Sequence, residues 1–200
     1  PVPDGDTGTN MSLTILNGIS EVTKSGSESL STVAKIFSRG LLMGARGNSG
    51  VILSQIFRGF AQYAKDKEEL TVKEFSEALM NGSKMAYKAV MRPTEGTILT
   101  VVRESAEYGE IYINNHPESS IEEFVNYIVD EANASLQRTP ELLDVLKEAH
   151  CVDSGAMGYV TILEGFKSYL QGKPITENLA GDTADTEVHE KASGYRVEYI

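Results

Sequence analysis

Between about residues 9 and 171, apolar positions recur every three or four residues, and short polar or glycine-bearing breaks interrupt them. Leu30, Val33, Ala34, Phe37, Leu41 and Leu42 form one such stripe. Ile52, Ile56 and Phe60 form the next, after a break at Gly47-Asn48-Ser49-Gly50. Thr71-Val72-Lys73-Glu74 has the spacing of a capping box, in which a hydroxyl and a carboxylate each satisfy a free backbone N–H. Val72, Phe75, Leu79, Ala86 and Val90 continue the apolar face of that helix, and Pro93 ends it. A further helix starts near Thr97 with Ile98, Leu99, Val101 and Val102. Ser119 and Ser120, followed by Glu122 and Glu123, open another, with Phe124, Tyr127, Ile128 and Ala132 on its buried side. Thr139-Pro140-Glu141 predicts one more start, with Thr as the cap and Pro at the first helical position. The last helix runs from about Gly155 to Leu170. Seven or eight helices without convincing strands predict an all-α domain over residues 1–172.

The pattern stops after Gly172. Residues 173–193 are polar, acidic and poor in aliphatics, which predicts a linker. Tyr195-Arg196-Val197-Glu198-Tyr199 alternates as a strand does. A lone terminal strand is not stable, so residues 194–200 read as the start of a following domain. No internal repeat is visible. The single Cys permits no disulfide within the chain, which fits a reducing, cytoplasmic setting. No segment has the apolar length of a membrane span. The formal net charge of -11 argues against nucleic acid as a partner. It also means that a polyphosphate bound here would need metal ions to neutralise it.

The candidate chemistry starts at Pro3-Asp4-Gly5-Asp6-Thr7-Gly8-Thr9-Asn10. Two carboxylates two residues apart on a turning backbone can face one hard cation of the Mg²⁺ type. The same residues also read as an Asp-Gly turn with a Thr cap. Gly44-Ala45-Arg46-Gly47-Asn48-Ser49-Gly50 offers free N–H groups at a helix start, although it lacks the Lys of a Walker A loop. An Asn or Ser cap is its plainer reading. Arg92-Pro93-Thr94-Glu95-Gly96-Thr97 and Cys151-Val152-Asp153-Ser154-Gly155 are two more junctions of this kind. Asp153 either caps the helix that follows or accepts hydrogen bonds from a ribose. Four such starts gathered at one end of a bundle would attract a polyanion. His116, His150 and His189 have no ligand spacing, and Cys151 reads as a small buried residue.

Together, PVPDGDTGTNM, MGARGNSGVILSQ, RPTEGTILTVVRE and CVDSGAMGY resemble the ATP-binding domain of the dihydroxyacetone kinase L-subunit superfamily. More closely they resemble the N-terminal kinase domain of the bacterial fatty acid kinase ATP-binding subunit. The resemblance covers about residues 1–172, and it places the chain inside a longer protein at both ends. It implies a closed barrel of about eight mostly antiparallel helices with ATP at one rim. It makes Asp4 and Asp6 the catalytic pair, holding two Mg²⁺ ions. It puts Thr7, Gly8, Thr9, Asn10, Gly47, Asn48, Ser49, Thr97 and Asp153 around the nucleotide. Of these, Thr9, Asn10, Asn48 and Ser49 would meet phosphates, and Thr97 and Asp153 would lie towards the nucleoside. Thr7 stands where dihydroxyacetone kinases carry His, which favours the fatty acid kinase branch. The implied reaction is phosphoryl transfer from ATP to the carboxylate of a fatty acid presented by a separate fatty-acid-binding protein, because nothing in the sequence marks a tunnel for an acyl chain here. The alternatives are transfer to a small hydroxyketone, or a nucleotide-binding module without catalysis. A homodimer of the full-length protein is compatible with this reading.

Overall fold

A computed structural model describes residues 5–173 of the chain. The expected linker apart from Lys173, the expected terminal strand and Asp4 lie outside them. Among the described residues there are eight helices and no strand. They are α1 (Thr7–Ser25), α2 (Leu30–Met43), α3 (Gly47–Tyr63), α4 (Val72–Ala89), α5 (Ile98–Asn115), α6 (Ile121–Leu142), the short α7 (Asp144–Glu148) and α8 (Ser154–Leu170).

Short connections force neighbouring helices to run antiparallel. Each of α1 to α6 packs against the next, α8 packs against α6 and α5, and contact between α8 and α1 closes the ring. The helices alternate in direction, so α1, α3, α5 and α8 all begin at one end. The apolar stripes meet inside. Phe124, Leu41, Leu53, Ile128, Leu163, Val101 and Val102 have essentially no exposed surface. Burying each such side chain contributes roughly 1.5–3 kcal/mol. Leu42, counted with the stripe of its helix, is instead 47% exposed.

Two helix pairs approach through glycine. Asn17 Nδ2 donates to the Gly40 carbonyl at 2.6 Å, and Asn81 Nδ2 donates to the Gly59 carbonyl at the same distance. A Cβ on Gly40 would stand 2.8 Å from Gly18 Cα, and one on Gly59 would stand 2.7 Å from Gly82 Cα. The same Asn-Gly device therefore clasps α1 to α2 and α4 to α3.

One predicted boundary is corrected. Thr139 and Pro140 do not open a helix; α6 runs through them to Leu142. Proline cannot donate to the carbonyl four residues back. Here the Thr139 hydroxyl takes that role and donates to Leu136 O at 2.7 Å, so the last turn survives. At the end opposite the four helix starts, Val33, Phe37, Phe60, Phe75, Leu79 and Phe166 help to line an apolar cavity of about 330 Å³. The sequence pattern gave no sign of it, because its lining residues also serve as ordinary stripe positions.

Candidate functional site

The starts of α1, α3, α5 and α8 open into one cleft of about 780 Å³. Asp6, Thr7, Asn10, Gly47, Asn48, Ser49, Thr97 and Asp153 line it together. Four sequence-distant junctions thus converge on one place. Gly8 and Thr9 sit on the same turn as Thr7 but are exposed and outside the cleft wall. Among the described residues, no group of three or more His, Cys, Asp or Glu is arranged to hold a metal.

At α1, the capping position is Asp6, but its carboxylate makes no cap bond. It accepts instead from Asn10 Nδ2 at 2.7 Å. Asn10 reaches the start of α3, where a Cβ on Gly47 would lie 2.9 Å from its Nδ2. Gly47 also has φ of +60, which favours a residue without a side chain. The capping position of α3 is Arg46, again with no side-chain cap. Asn48 and Ser49 are therefore not caps. They sit within the first turn, beside N–H groups that have no partner inside the helix.

The third junction is stiffer. Thr97 Oγ1 accepts from Leu99 N–H at 3.3 Å and donates to Thr94 O at 2.7 Å. Glu95 receives Tyr87 Oη–H at 2.9 Å, Thr100 Oγ1–H at 2.6 Å and Arg103 Nη2–H at 3.0 Å. Partial burial works against its charge, but these donors outweigh that and hold its carboxyl below the ordinary value. Gly96, at φ of +79, passes so close to α6 that a Cβ would sit 2.9 Å from Thr139 O.

At the fourth junction, Asp153 Oδ2 accepts from Ala156 N–H at 2.8 Å and caps α8. Burial pushes its carboxyl pKa upward, while the N–H groups of Ala156 and Ile98 favour its charge. The cap that the sequence offered as one reading of Asp153 is observed, and the same residue also lines the cleft. Cys151 is half-buried in the cleft wall rather than in the core.

Sequence reasoning missed several wall residues. Arg92 and Thr94 line the cleft, and Arg92 is its only basic residue among the described residues. Both lie inside the third motif, so their position was within reach. Ile52, Val90, Leu99, Val145, Leu146 and Val152 form an apolar part of the wall. Val145 and Leu146 come from α7, which no stripe predicted because it is a single short turn. No described helix is long and apolar enough to cross a membrane.

Comparison with known proteins identifies the family. The model of the DAK2 domain matches residues 1–168. The chain is 47% identical over 196 residues to protein YloV of Bacillus subtilis (strain 168), covering 96% of this chain and 35% of that protein. It is 48% identical over 191 residues to the uncharacterized protein SAUSA300_1119 of Staphylococcus aureus (strain USA300), covering 96% of this chain and 34% of that one. The chain thus spans about a third of the length of these relatives. The matched region takes in all four cleft junctions and the helices behind them, and on that match the chain belongs to the DAK2 domain family, a kinase-related family.

Proposed function

We propose that the cleft binds Mg-ATP, and that the protein transfers the terminal phosphoryl group to the carboxylate of a fatty acid held by a separate carrier protein. The observation that carries the nucleotide reading is the convergence of four helix starts on one cleft, two of them without side-chain caps. Open N–H groups and the positive ends of helix dipoles favour a polyanion. A volume of about 780 Å³ lies within the usual range for small-molecule sites, roughly 300–1,000 Å³.

The donor set fits the metal and the nucleotide. Mg²⁺ takes one or two carboxylates and leaves its remaining positions to water and phosphate oxygens. Asp6 is a cleft carboxylate of that kind, and Asp4, outside the described residues, is its expected companion. Bound there, the metal would neutralise charge on the phosphates. Asn10 holds the Asp6 carboxylate in place through its amide. Asn48, Ser49 and the first-turn N–H groups of α3 receive phosphate oxygens. Arg92 adds a positive charge to the cleft wall. The apolar stretch of Val145, Leu146 and Val152 suits the face of a base.

Phosphoryl transfer depends on positioning and charge neutralisation more than on covalent catalysis. No His lines the cleft among the described residues. A fatty acid carboxylate is already ionised at pH 7 and needs no base. The cleft end of the bundle offers some apolar surface for a docking carrier: Met91, just after α4, and Met157, in the first turn of α8, are 97% and 49% exposed. The test uses the full-length protein with Mg-ATP. Acyl phosphate should form only when a fatty-acid-loaded carrier is added. Phosphorylation of free dihydroxyacetone, with none of the carrier-bound acid, would assign the domain to hydroxyketone transfer. Tight Mg-ATP binding with turnover of neither would assign it to a nucleotide-binding module.

A further inference from the structure

Three threonines on three different helices have no exposed surface: Thr14 on α1, Thr100 on α5 and Thr139 on α6. Each hydroxyl accepts a hydrogen bond from a backbone N–H in the junction that opens a cleft helix. Arg46 N–H, before α3, donates to Thr14 Oγ1 at 3.2 Å. Gly96 N–H, before α5, donates to Thr100 Oγ1 at 2.9 Å. Asp153 N–H, before α8, donates to Thr139 Oγ1 at 3.1 Å.

A hydroxyl has one proton to give and lone pairs to receive with, so it can join two segments. All three use both sides. Thr14 donates to Asn10 O at 2.7 Å, Thr139 donates to Leu136 O at 2.7 Å, and Thr100 donates to the Glu95 carboxylate at 2.6 Å. Thr14 thus joins the turn that carries Asp6 and Asn10 to the junction before Asn48 and Ser49. The space is cut to fit: a Cβ on Gly50 would lie 2.5 Å from Thr14 Oγ1. Buried hydroxyls are not used this way throughout the bundle. Ser76 and Ser135 are buried with no partner among the described residues.

We propose that Thr14, Thr100 and Thr139 are positioning residues, which set the spacing and direction of three helix starts around the bound nucleotide. This rests on the Mg-ATP reading of the cleft. None of the three lines the cleft, so each acts through the junction that it holds. A nucleotide whose phosphates touch several helix starts needs them fixed relative to each other before it binds, since ordering them afterwards subtracts from affinity.

The test compares Thr→Val, which keeps shape and removes the hydroxyl, with Thr→Ser, which keeps the hydroxyl, at each site of the full-length protein. Mg-ATP affinity is measured by calorimetry well below each variant's Tm. Thr14→Val and Thr139→Val should weaken binding about tenfold, the scale set by leaving one N–H unpaired. The serine variants should stay close to wild type. Valine variants that melt earlier yet bind Mg-ATP as tightly as wild type would overturn the proposal and leave these hydroxyls structural. Where a valine variant does not fold, amide hydrogen exchange on the wild type decides: Arg46, Gly96 and Asp153 N–H should be protected before nucleotide is added. Exchange at those amides that slows only after addition would overturn pre-positioning. A wild type that does not bind Mg-ATP would overturn the nucleotide reading itself, and the proposal with it.

Discussion

The two ends of the bundle close their helix starts in different ways. At the end away from the cleft, α4 and α6 begin with complete capping boxes. Thr71 Oγ1 accepts Glu74 N–H at 3.2 Å and Glu74 accepts Thr71 N–H at 2.9 Å. Ser120 and Glu123 repeat the arrangement at 3.2 and 2.8 Å. At the cleft, α1 and α3 begin with no side-chain cap, and the Asp6 carboxylate turns to Asn10 instead. Ser29 of α2, at the far end, also lacks a cap bond, and Thr97 and Asp153 cap α5 and α8 at the cleft, so the contrast is between α4 and α6 on one side and α1 and α3 on the other. A start that satisfies its own N–H groups adds stability and has little left for a ligand. A start left open gives up that stability and keeps its N–H groups for binding. Placing both kinds in one bundle separates what holds the fold from what the site does.

That separation predicts which changes affect function and which affect the fold. The largest effect is expected at Asp6. Asp6→Asn should lower phosphoryl transfer by at least about 100-fold, the scale on which losing one charge-stabilising group acts. Its helical circular dichroism should stay near wild type, because Asp6 caps nothing. Unchanged turnover would remove Asp6 from the site.

The far end should respond the other way. Gly59→Ala puts a Cβ 2.5 Å from Asn81 O, so the α3–α4 clasp must open. Overpacking of this kind costs about 1–3 kcal/mol. Chemical denaturation should show that loss, with Mg-ATP affinity unaltered. Ser120→Ala should cost about 0.5–2 kcal/mol through the lost cap, again without touching affinity. Asn48→Ala should do the reverse, with weaker Mg-ATP binding and little change in Tm. A variant at either end that moved both quantities equally would break the contrast.

The smallest expected effect is on pH dependence, and its sign differs between the ends. The Lys67 ammonium and the Thr71 backbone N–H hold the Glu74 carboxyl down at about 2. A carboxyl lowered by folding adds stability above its ordinary pKa and loses it as pH falls towards about 2. Burial raises the Asp153 carboxyl, so its contribution is present at low pH and is lost as pH rises through the raised value. Glu74→Gln should therefore flatten the acid limb of a stability profile. Asp153→Asn, which can still cap, should flatten the limb above it. Equal slopes in both variants would show that neither carboxyl governs the profile.

Much of this was legible in the sequence. Apolar periodicity gave the helical class, and both capping boxes follow the Ser/Thr-x-x-Glu spacing. The four glycine-bearing junctions named most of the cleft wall, because helix starts announce themselves locally. What stayed hidden depends on tertiary contact. Thr139-Pro140 looks like a helix start until the Thr139 hydroxyl is seen replacing the missing N–H bond. Thr14 and Thr100 look like ordinary stripe residues until their acceptors are seen to hold other segments. Arg92 stands inside the third motif, yet only the folded cleft shows that its charge faces a site rather than solvent. The apolar wall from α7 belongs to an element too short to show a period.

The central claim is that four helix starts form one site for Mg-ATP. The most direct test is a backbone amide titration of the protein with Mg-ATP, followed by nuclear magnetic resonance. The account predicts shifts concentrated in the first turns of α1, α3, α5 and α8, reversed when EDTA removes the metal, with the Glu74 and Glu123 amides at the far end unmoved. Shifts centred on the far end, or none at saturating nucleotide, would contradict it.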